Sequence, residues 1–347
     1  MFGRGVIATI YGWALERAGH EVEFYVRPGR AAAYGDAIDL ELLDARRRIR
    51  GRRVSERWPV RYRESLEPDH DFDLIVVSVQ HYAFAEAAAF LGPRLGRATV
   101  LIFNNLWAEP AAAAEPFPAD QVAWGFPSAG GGFGDDGVLR GALLPMVFFG
   151  TLGRPPTERE RAVREAFRQA GFRFREQPDF RGWLWIHFVQ NAGLHTQSLK
   201  LGSLGKLAGA PGNVREAVLA TRELLPLVEA RGVDLGRHRG NVLPVRAPAW
   251  LTAPTLAWLL GHFPPVRLLL EAHANPEELR AVCRDTLAEA RRLGVAAPRL
   301  EAAEPYFLGE AATHLDPPPQ DPARTEPPQT SHTDTPPQSG SPSRSAR

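Results

Sequence analysis

The six residues Gly3-Arg4-Gly5-Val6-Ile7-Ala8 constrain this chain more than any other feature. They spell a G-x-G-x-x-A turn that runs directly into an apolar helical period, the arrangement by which a parallel α/β sheet holds a phosphate. Gly3 permits the tight turn, Gly5 lets backbone approach a pyrophosphate, and Ala8 lets the helix pack closely on the sheet. A helix beginning there offers unpaired N–H groups and the positive end of its dipole to an anion. The apolar period predicts a helix from Val6 to Ala18, and after the turn Gly19-His20 the alternation of Glu21 to Val26 predicts a strand. The motif starts at residue 3, so the expectation is that the first strand of the sheet is truncated or the start misassigned, with severe destabilisation as the consequence.

The predicted strand ends in Arg27, with Arg30 three residues on, where a site for unphosphorylated ribose would place an acidic side chain. A guanidinium there suits a 2′-phosphate, which favours NADP(H) over NAD. The cofactor set read from this part of the chain is Gly3, Arg4, Gly5, Val6, Ile7, Arg27 and Arg30. Gln80 belongs to it if the end of the next strand lines the cleft, and to an ordinary strand-end loop if it does not.

The rest of the first half keeps the alternation of a doubly wound sheet. Asp73 to Val79 is a nearly continuous apolar run, as a strand buried on both faces requires; His81 to Leu91 reads as helix and Ala98 to Phe103 as the next strand. Two further strands are expected around Arg140-Gly141 within Gly137 to Gly150, and a helix from Thr157 to Ala170 opened by a Thr157/Glu160 capping box. The arginine run from Arg46 to Arg53 reads as a solvated hairpin, and Gly130 to Gly134 as a flexible loop in preference to a ligand cradle. After Pro178-Asp179 strand patterns give way to helical ones: Trp183 to Leu199, Val214 to Ala230, Pro248 to His262 and Pro276 to Leu293. The expected organisation is α/β: a Rossmann-like doubly wound parallel sheet over residues 1–178 and an all-α substrate domain over 179–312. A Pro/Ser/Thr-rich disordered tail is expected over 313–347.

Net charge excludes some partners. At +1 over 347 residues the chain lacks the basic imbalance of a nucleic-acid or anionic-membrane binder, so the expected partner is a small molecule. The apolar stretch Ala247 to Leu270 is interrupted by four prolines, His262 and Arg267, and is too broken to span a bilayer. A single cysteine, Cys283, excludes a disulfide framework and a cysteine-based zinc site and fits a reducing, cytoplasmic setting. No signal peptide is expected and no metal site is read; whether the chain forms a homodimer is left open.

These segments together resemble the ketopantoate reductases (2-dehydropantoate 2-reductases). The resemblance runs through GRGVIATIYGWALERAGHEVEFYVRPGR, the DLIVVSV strand, the LIFNN strand end, the HFVQNAG helix and the closing LGVAAPRL, reaching about residue 300. It implies reduction of a 2-keto acid by hydride transfer from NADPH, with substrate held between two domains. It further implies that Asn104 lies near nicotinamide and substrate, that Asn191 binds substrate, and that Glu278 is the active-site glutamate. The departures are pronounced. His187 stands where the family has its catalytic lysine, Gln80 where it has a second lysine, His195 where it has a second asparagine, and Val266 where it has a substrate-binding serine. The chain's only lysines are Lys200 and Lys206, and thirteen residues of helix turn Lys200 about 220° away from position 187.

Independently of any family, His187, Asn191 and His195 fall at i, i+4 and i+8 and share one stripe of a helix. Either they are satisfied core or interdomain polar residues, or they face a cleft. Eight residues of helix separate the two histidines by about 12 Å, too far to share a metal. A histidine near neutral pKa could protonate the alkoxide formed by hydride transfer, so the catalytic set read here is His187, Asn191 and Glu278, with Asn104 and His195 on the substrate. Glu278 alternatively belongs to a solvated helix start with Glu277. Three functions remain: an NADPH-dependent reductase of another 2-keto acid or related carbonyl compound, a non-catalytic NADP(H)-binding sensor or scaffold, and a ketopantoate reductase in which His187 replaces lysine.

Overall fold

The computed structural model describes residues 1–308. Its first part is built from α1 (Val6–Glu16), β1 (Phe24–Tyr25), α2 (Ala31–Tyr34), β2 (Ala37–Asp44), β3 (Arg52–Pro59), β4 (Tyr62–Arg63), β5 (Leu74–Val77) and α3 (Phe84–Leu91). There follow β6 (Thr99–Ile102), α4 (Pro110–Ala113), β7 (Val122–Phe126), β8 (Ala129–Phe133), β9 (Leu139–Leu143), β10 (Met146–Gly150), α5 (Glu158–Gln169) and β11 (Arg173–Gln177). Strands β5, β6 and β7 pair in parallel and continue through antiparallel β10 to β11, giving the order β11-β10-β7-β6-β5. Strands β1 and β4 form a separate parallel pair, and Phe2 bridges the two sheets, paired in parallel with both Tyr25 and Val77. A second sheet, β3-β2-β9-β8, lies beside the first. Apolar faces of the two sheets meet around α1 in one core that includes Ile10, Tyr11, Trp13, Leu40, Phe103 and Phe149.

The Rossmann-like reading stands, with two local corrections. Arg140-Gly141 is not a turn: β9 runs unbroken through both residues, and the chain breaks at Pro145, which has no N–H to continue a ladder. Gly141 is small because a Cβ there would lie 2.4 Å from the Gly130 carbonyl on β8. Gly130 to Gly134 is likewise not a loop, since Ala129–Phe133 is a strand paired residue for residue with β9. Gly131 at φ +156°, with a would-be Cβ 2.1 Å from the Arg140 carbonyl, admits no side chain. The arginine run does form the turn of a hairpin, between β2 and β3. Thr157 caps α5 with the expected box, its hydroxyl accepting from Glu160 N and the Glu160 carboxylate accepting from Thr157 N.

The second part is helical: α6 (Phe180–Leu201), α7 (Pro211–Ala230), α8 (Arg239–Arg246), α9 (Ala249–His262), α10 (Pro264–Glu271), α11 (Pro276–Arg292), α12 (Pro298–Glu301) and α13 (Pro305–Leu308). Asp179 caps α6, accepting from Gly182 N at 3.0 Å and from His238 Nε2 at 2.9 Å, and this His238 contact holds its carboxyl below the usual range. Helix α6 is apolar nearly all round, which only a buried helix can be, and it packs between α7 and α11. Gly193 sets the approach of α6 to α7, since a Cβ there would lie 2.0 Å from Thr221 Oγ1. Gly193→Val is therefore expected to cost the upper part of the roughly 1–3 kcal/mol typical of overpacking, measured as a lower urea midpoint at unchanged m-value. The expectation for the tail at 313–347 falls outside the described residues.

Two of the contacts that tie the halves together involve groups beside the strand ends. His81, just after β5, meets Asp285 of α11 at 2.8 Å. The Arg231 guanidinium lies between the Trp107 and Trp185 rings, 3.9 Å and 3.6 Å from their centres, where burial draws its pKa down to about 10.

Candidate active site

The C-terminal ends of the parallel strands and the faces of α6 and α11 enclose a cavity of about 900 Å³. Open α/β sheets bind ligands in this position, outside the carboxyl ends of the strands. On the sheet side its wall is Arg4, Gly5, Val6 and Ile7 from the glycine turn, Ser78 and Gln80 after β5, and Asn104 and Asn105 after β6. On the helical side it is His187, Asn191 and His195 of α6 with Glu278 of α11. Ten of the thirteen residues singled out from the sequence thus line one cavity; Gly3, Arg27 and Arg30 do not.

The glycine turn is shaped for a close ligand. Gly3 has φ +86°, and a Cβ built on Gly5 would meet nothing within 4 Å. Gly5 caps α1 without any side-chain hydrogen bond, so the first N–H groups of the helix point unpaired into the cavity. The Arg4 guanidinium lies 4.7 Å from the centres of both the Tyr34 and Phe133 rings. Arg30 also reaches Tyr34, at 5.5 Å, whereas Arg27 is exposed. The backbone from Gly29 to Ala31 is turned toward an anion: Ala31 N donates to Glu64 Oε1 at 2.7 Å, and N–H donation by Ala31, Gly29 and Arg30 holds that carboxyl below its usual range.

Buried polar atoms without partners concentrate here. Arg4 Nε, Ser78 Oγ, Asn104 Oδ1, Asn105 Oδ1 and His195 Nδ1 are all buried and unpaired, and all five residues line the cavity. Leaving such an atom unsatisfied costs roughly 1–3 kcal/mol each, which a bound polar ligand would recover. Asn104 is oriented by its own amide, which donates to the Val79 carbonyl and leaves the oxygen facing the cavity.

The α6 stripe does face the cleft, and it begins one turn earlier than the polar spacing indicated. Trp183 stacks on His187 with ring centres 5.3 Å apart, Phe126 meets His187 edge-on at 4.4 Å, and Phe148 stacks on Trp183 at 4.7 Å. This aromatic wall corrects one expectation. Burial pushes the His187 imidazole down to about 4, so it is neutral at pH 7 in the ligand-free protein, not an imidazolium. His195 is pushed further, to about 3, by burial first and by His273, His187 and His81 second. Glu278 stands 3.8 Å from His273, which the sequence reading passed over because it lies between helices. Phe126 was missed with the whole of β7, and Ser78 because it is a small residue at a strand end. Val266, at the family's serine position, does not line the cavity, and Leu269 of the same helix does. Among the described residues no group of three or more His, Cys, Asp or Glu is placed to hold a metal, and no helix is long and apolar enough to cross a membrane.

Residues 1–149 match the family described as Ketopantoate reductase PanE/ApbA. This part of the chain is ketopantoate reductase-like. A 2-dehydropantoate 2-reductase of Halobacterium salinarum is 30% identical over 166 residues, 48% of this chain and 55% of that protein, so the match spans about half the length of the curated relative. Among solved structures, a 2-dehydropantoate 2-reductase from Geobacter metallireducens superposes with a TM-score of 0.62 at 20% identity, covering 90% of this chain and 98% of its own. A D-mandelate dehydrogenase in complex with NADH superposes with a TM-score of 0.61 at 11% identity, covering 88% and 95%. At these identities the superpositions establish the fold, an α/β part followed by a helical part, and nothing finer.

Proposed function

We propose that this protein is an NADP(H)-dependent reductase of a 2-keto acid that carries a bulky apolar side chain. The observation that carries the reading is the convergence, on one cavity, of the open N-terminus of α1, five unpaired buried polar atoms and the aromatic-walled His187/Asn191 stripe. The residues fit a dinucleotide: N–H groups of Val6 and Ile7 with Arg4 for the pyrophosphate, and Asn104 and Ser78 toward the nicotinamide. When bound, the nicotinamide cofactor supplies the hydride that reduces the keto carbon.

The chain's own residues have the remaining tasks. Asn191 and Asn104 hydrogen-bond the substrate's carboxylate and keto oxygen. His187 holds and delivers the proton that the new hydroxyl requires. Its low pKa has burial as its only cause, so an anionic substrate beside it draws the pKa back up and brings a proton in with the keto acid. Trp183, Phe126 and Phe148 receive the side chain, a surface better suited to aryl or branched apolar groups than to the hydroxylated chain of ketopantoate. One structural neighbour, a D-mandelate dehydrogenase, acts on a substrate compatible with this reading. In this reading residues 1–178 hold the cofactor and the helical part that follows, from residue 179, covers the substrate.

The test is NADPH oxidation followed at 340 nm with ketopantoate and a panel of aliphatic and aryl 2-keto acids. Turnover highest on an apolar-substituted keto acid supports the proposal. Highest turnover on ketopantoate would overturn the substrate assignment, and cofactor binding without turnover of any member would favour a non-catalytic NADP(H)-binding role. Cofactor choice has its own check. Arg30→Ala is expected to weaken NADPH binding about 10- to 100-fold, the worth of a charge-assisted hydrogen bond, while changing NADH binding about two-fold or less. Equal losses for both cofactors in a fluorescence titration would remove Arg30 from the 2′-phosphate site.

A further inference from the structure

One charged residue of the cleft has no task in the chemistry above. Histidines aside, three charged residues line the cavity: Arg4 at the glycine turn, Glu278 beside His273, and Arg175. Arg4 lies against Tyr34 and Phe133 on the dinucleotide side. Arg175 belongs to β11 and is exposed, and among the described residues its guanidinium has no hydrogen-bond, ion-pair or ring partner.

Strand register fixes where Arg175 stands. Phe148 of β10 pairs directly with Phe126 of β7 on one side and with Arg175 of β11 on the other. Residues directly opposite one another on paired strands share a sheet face, so the three side chains form one row. The alternation of β11 agrees: Phe174 packs against Phe149 and Glu176 receives Arg164 of α5, both on the face turned away from the cleft. The row begins at the reaction centre, where Phe126 meets His187 edge-on, and passes Phe148, which stacks on Trp183. Adjacent strands lie roughly 5 Å apart, so roughly 10 Å of aromatic wall separates Arg175 from Phe126.

That order separates two anions. The carboxylate of a 2-keto acid is bonded to the carbon that takes the hydride, so it stays at the Asn104/Asn191 end while that carbon faces His187. A guanidinium at the other end of the wall meets whatever the side chain carries beyond its apolar part. Edge strands also carry arginines that discourage pairing with another chain, and Arg173, two residues earlier on the same face of β11, stands outside the cleft in that way. Arg175 differs in lining the cavity.

We propose that Arg175 is a specificity-determining residue whose guanidinium receives a second carboxylate at the far end of the substrate's apolar side chain, so that the preferred substrate is a dianionic aryl 2-keto acid. The inference rests on the keto-acid reductase reading and narrows its substrate class. A guanidinium holds a carboxylate through two parallel N–H···O bonds, a geometry that an uncharged side chain cannot use.

The experiment titrates the protein with phenylpyruvate and with para-carboxyphenylpyruvate by calorimetry, in the presence of NADP⁺ so that neither is reduced. The dianion is expected to bind about 10-fold tighter at low ionic strength, with the margin shrinking as salt is added because the Arg175 end is open to solvent. In Arg175→Met, which keeps an apolar stem, the two ligands are expected to bind equally, with phenylpyruvate unchanged within about two-fold. Arg173→Met is expected to leave the margin in place. A margin that survives in Arg175→Met, or its absence from the unmodified protein, would overturn the proposal. Equal weakening of both ligands in Arg175→Met would also overturn it, because the arginine would then hold the carboxylate beside the keto group. NADPH oxidation separates this result from the reading beneath it. Turnover of phenylpyruvate with no dianion margin removes the subsite and leaves the reductase, whereas a margin that Arg175→Met abolishes, without turnover of either compound, supports the subsite and removes the reductase.

Discussion

Replacing His187 by alanine is expected to lower kcat/KM for the preferred 2-keto acid about 10²- to 10⁴-fold while leaving NADPH affinity within about two-fold. The chain offers this cleft no lysine, and His187 is the proton carrier stacked on the aromatic wall where the reacting carbonyl would rest. Its pKa of about 4 gives the prediction a second signature. A general acid must be protonated in the free enzyme that kcat/KM reports. Log kcat/KM of the unmodified enzyme is therefore expected to fall with a slope near −1 between about pH 5 and pH 8, and to level off below pH 4. In His187→Ala the same plot should be flat across that interval. A flat profile for the unmodified protein, or a parallel slope in the variant, would show that the proton comes from elsewhere, with Glu278 and His273 next to be tried.

The sequence was most legible where one physical constraint acts on neighbouring residues. The glycine turn, the DLIVVSV run and the i, i+4, i+8 stripe each obey a local period, and each is found in place. It was least legible where spacing is set by a partner distant in the chain. Gly131 and Gly141 read as loop and turn residues, yet they are glycines because β8 and β9 pass too close for side chains. Strand β7 went unread because its pairing to β6 and β10, not an alternation of its own, makes it a strand. Trp183 could have been found by extending the polar stripe back by four residues. His273 carries no such signal, since it stands between two helices and meets Glu278 only through the fold. Arg27, placed in the cofactor set by its position after a strand, is exposed, while Arg4 and Arg30 reach the Tyr34 ring.

Acid lability is the second large effect expected of this protein. Two histidines are held in the folded state with pKa values well below their ordinary 6.5, His187 at about 4 and His195 at about 3. In the unfolded chain each takes up its proton at higher pH, so over this range the unfolded state binds more protons and stability rises with pH. The stability these groups allow is fully present above about pH 6.5 and is lost as pH falls from there through their folded-state values of about 4 and about 3. Each group contributes at most about 1.4 kcal/mol per pH unit within its window. Urea midpoints should therefore hold nearly constant from about pH 8 to 7 and decline steeply from about 6.5 to 4. His195→Leu, which removes the most strongly displaced histidine and its unpaired Nδ1, is expected to flatten the steep limb. Midpoints that hold constant from pH 8 to 4 in the unmodified protein would mean that these groups are hydrated in solution, and would take with them the neutral imidazole on which the pH signature of His187 depends.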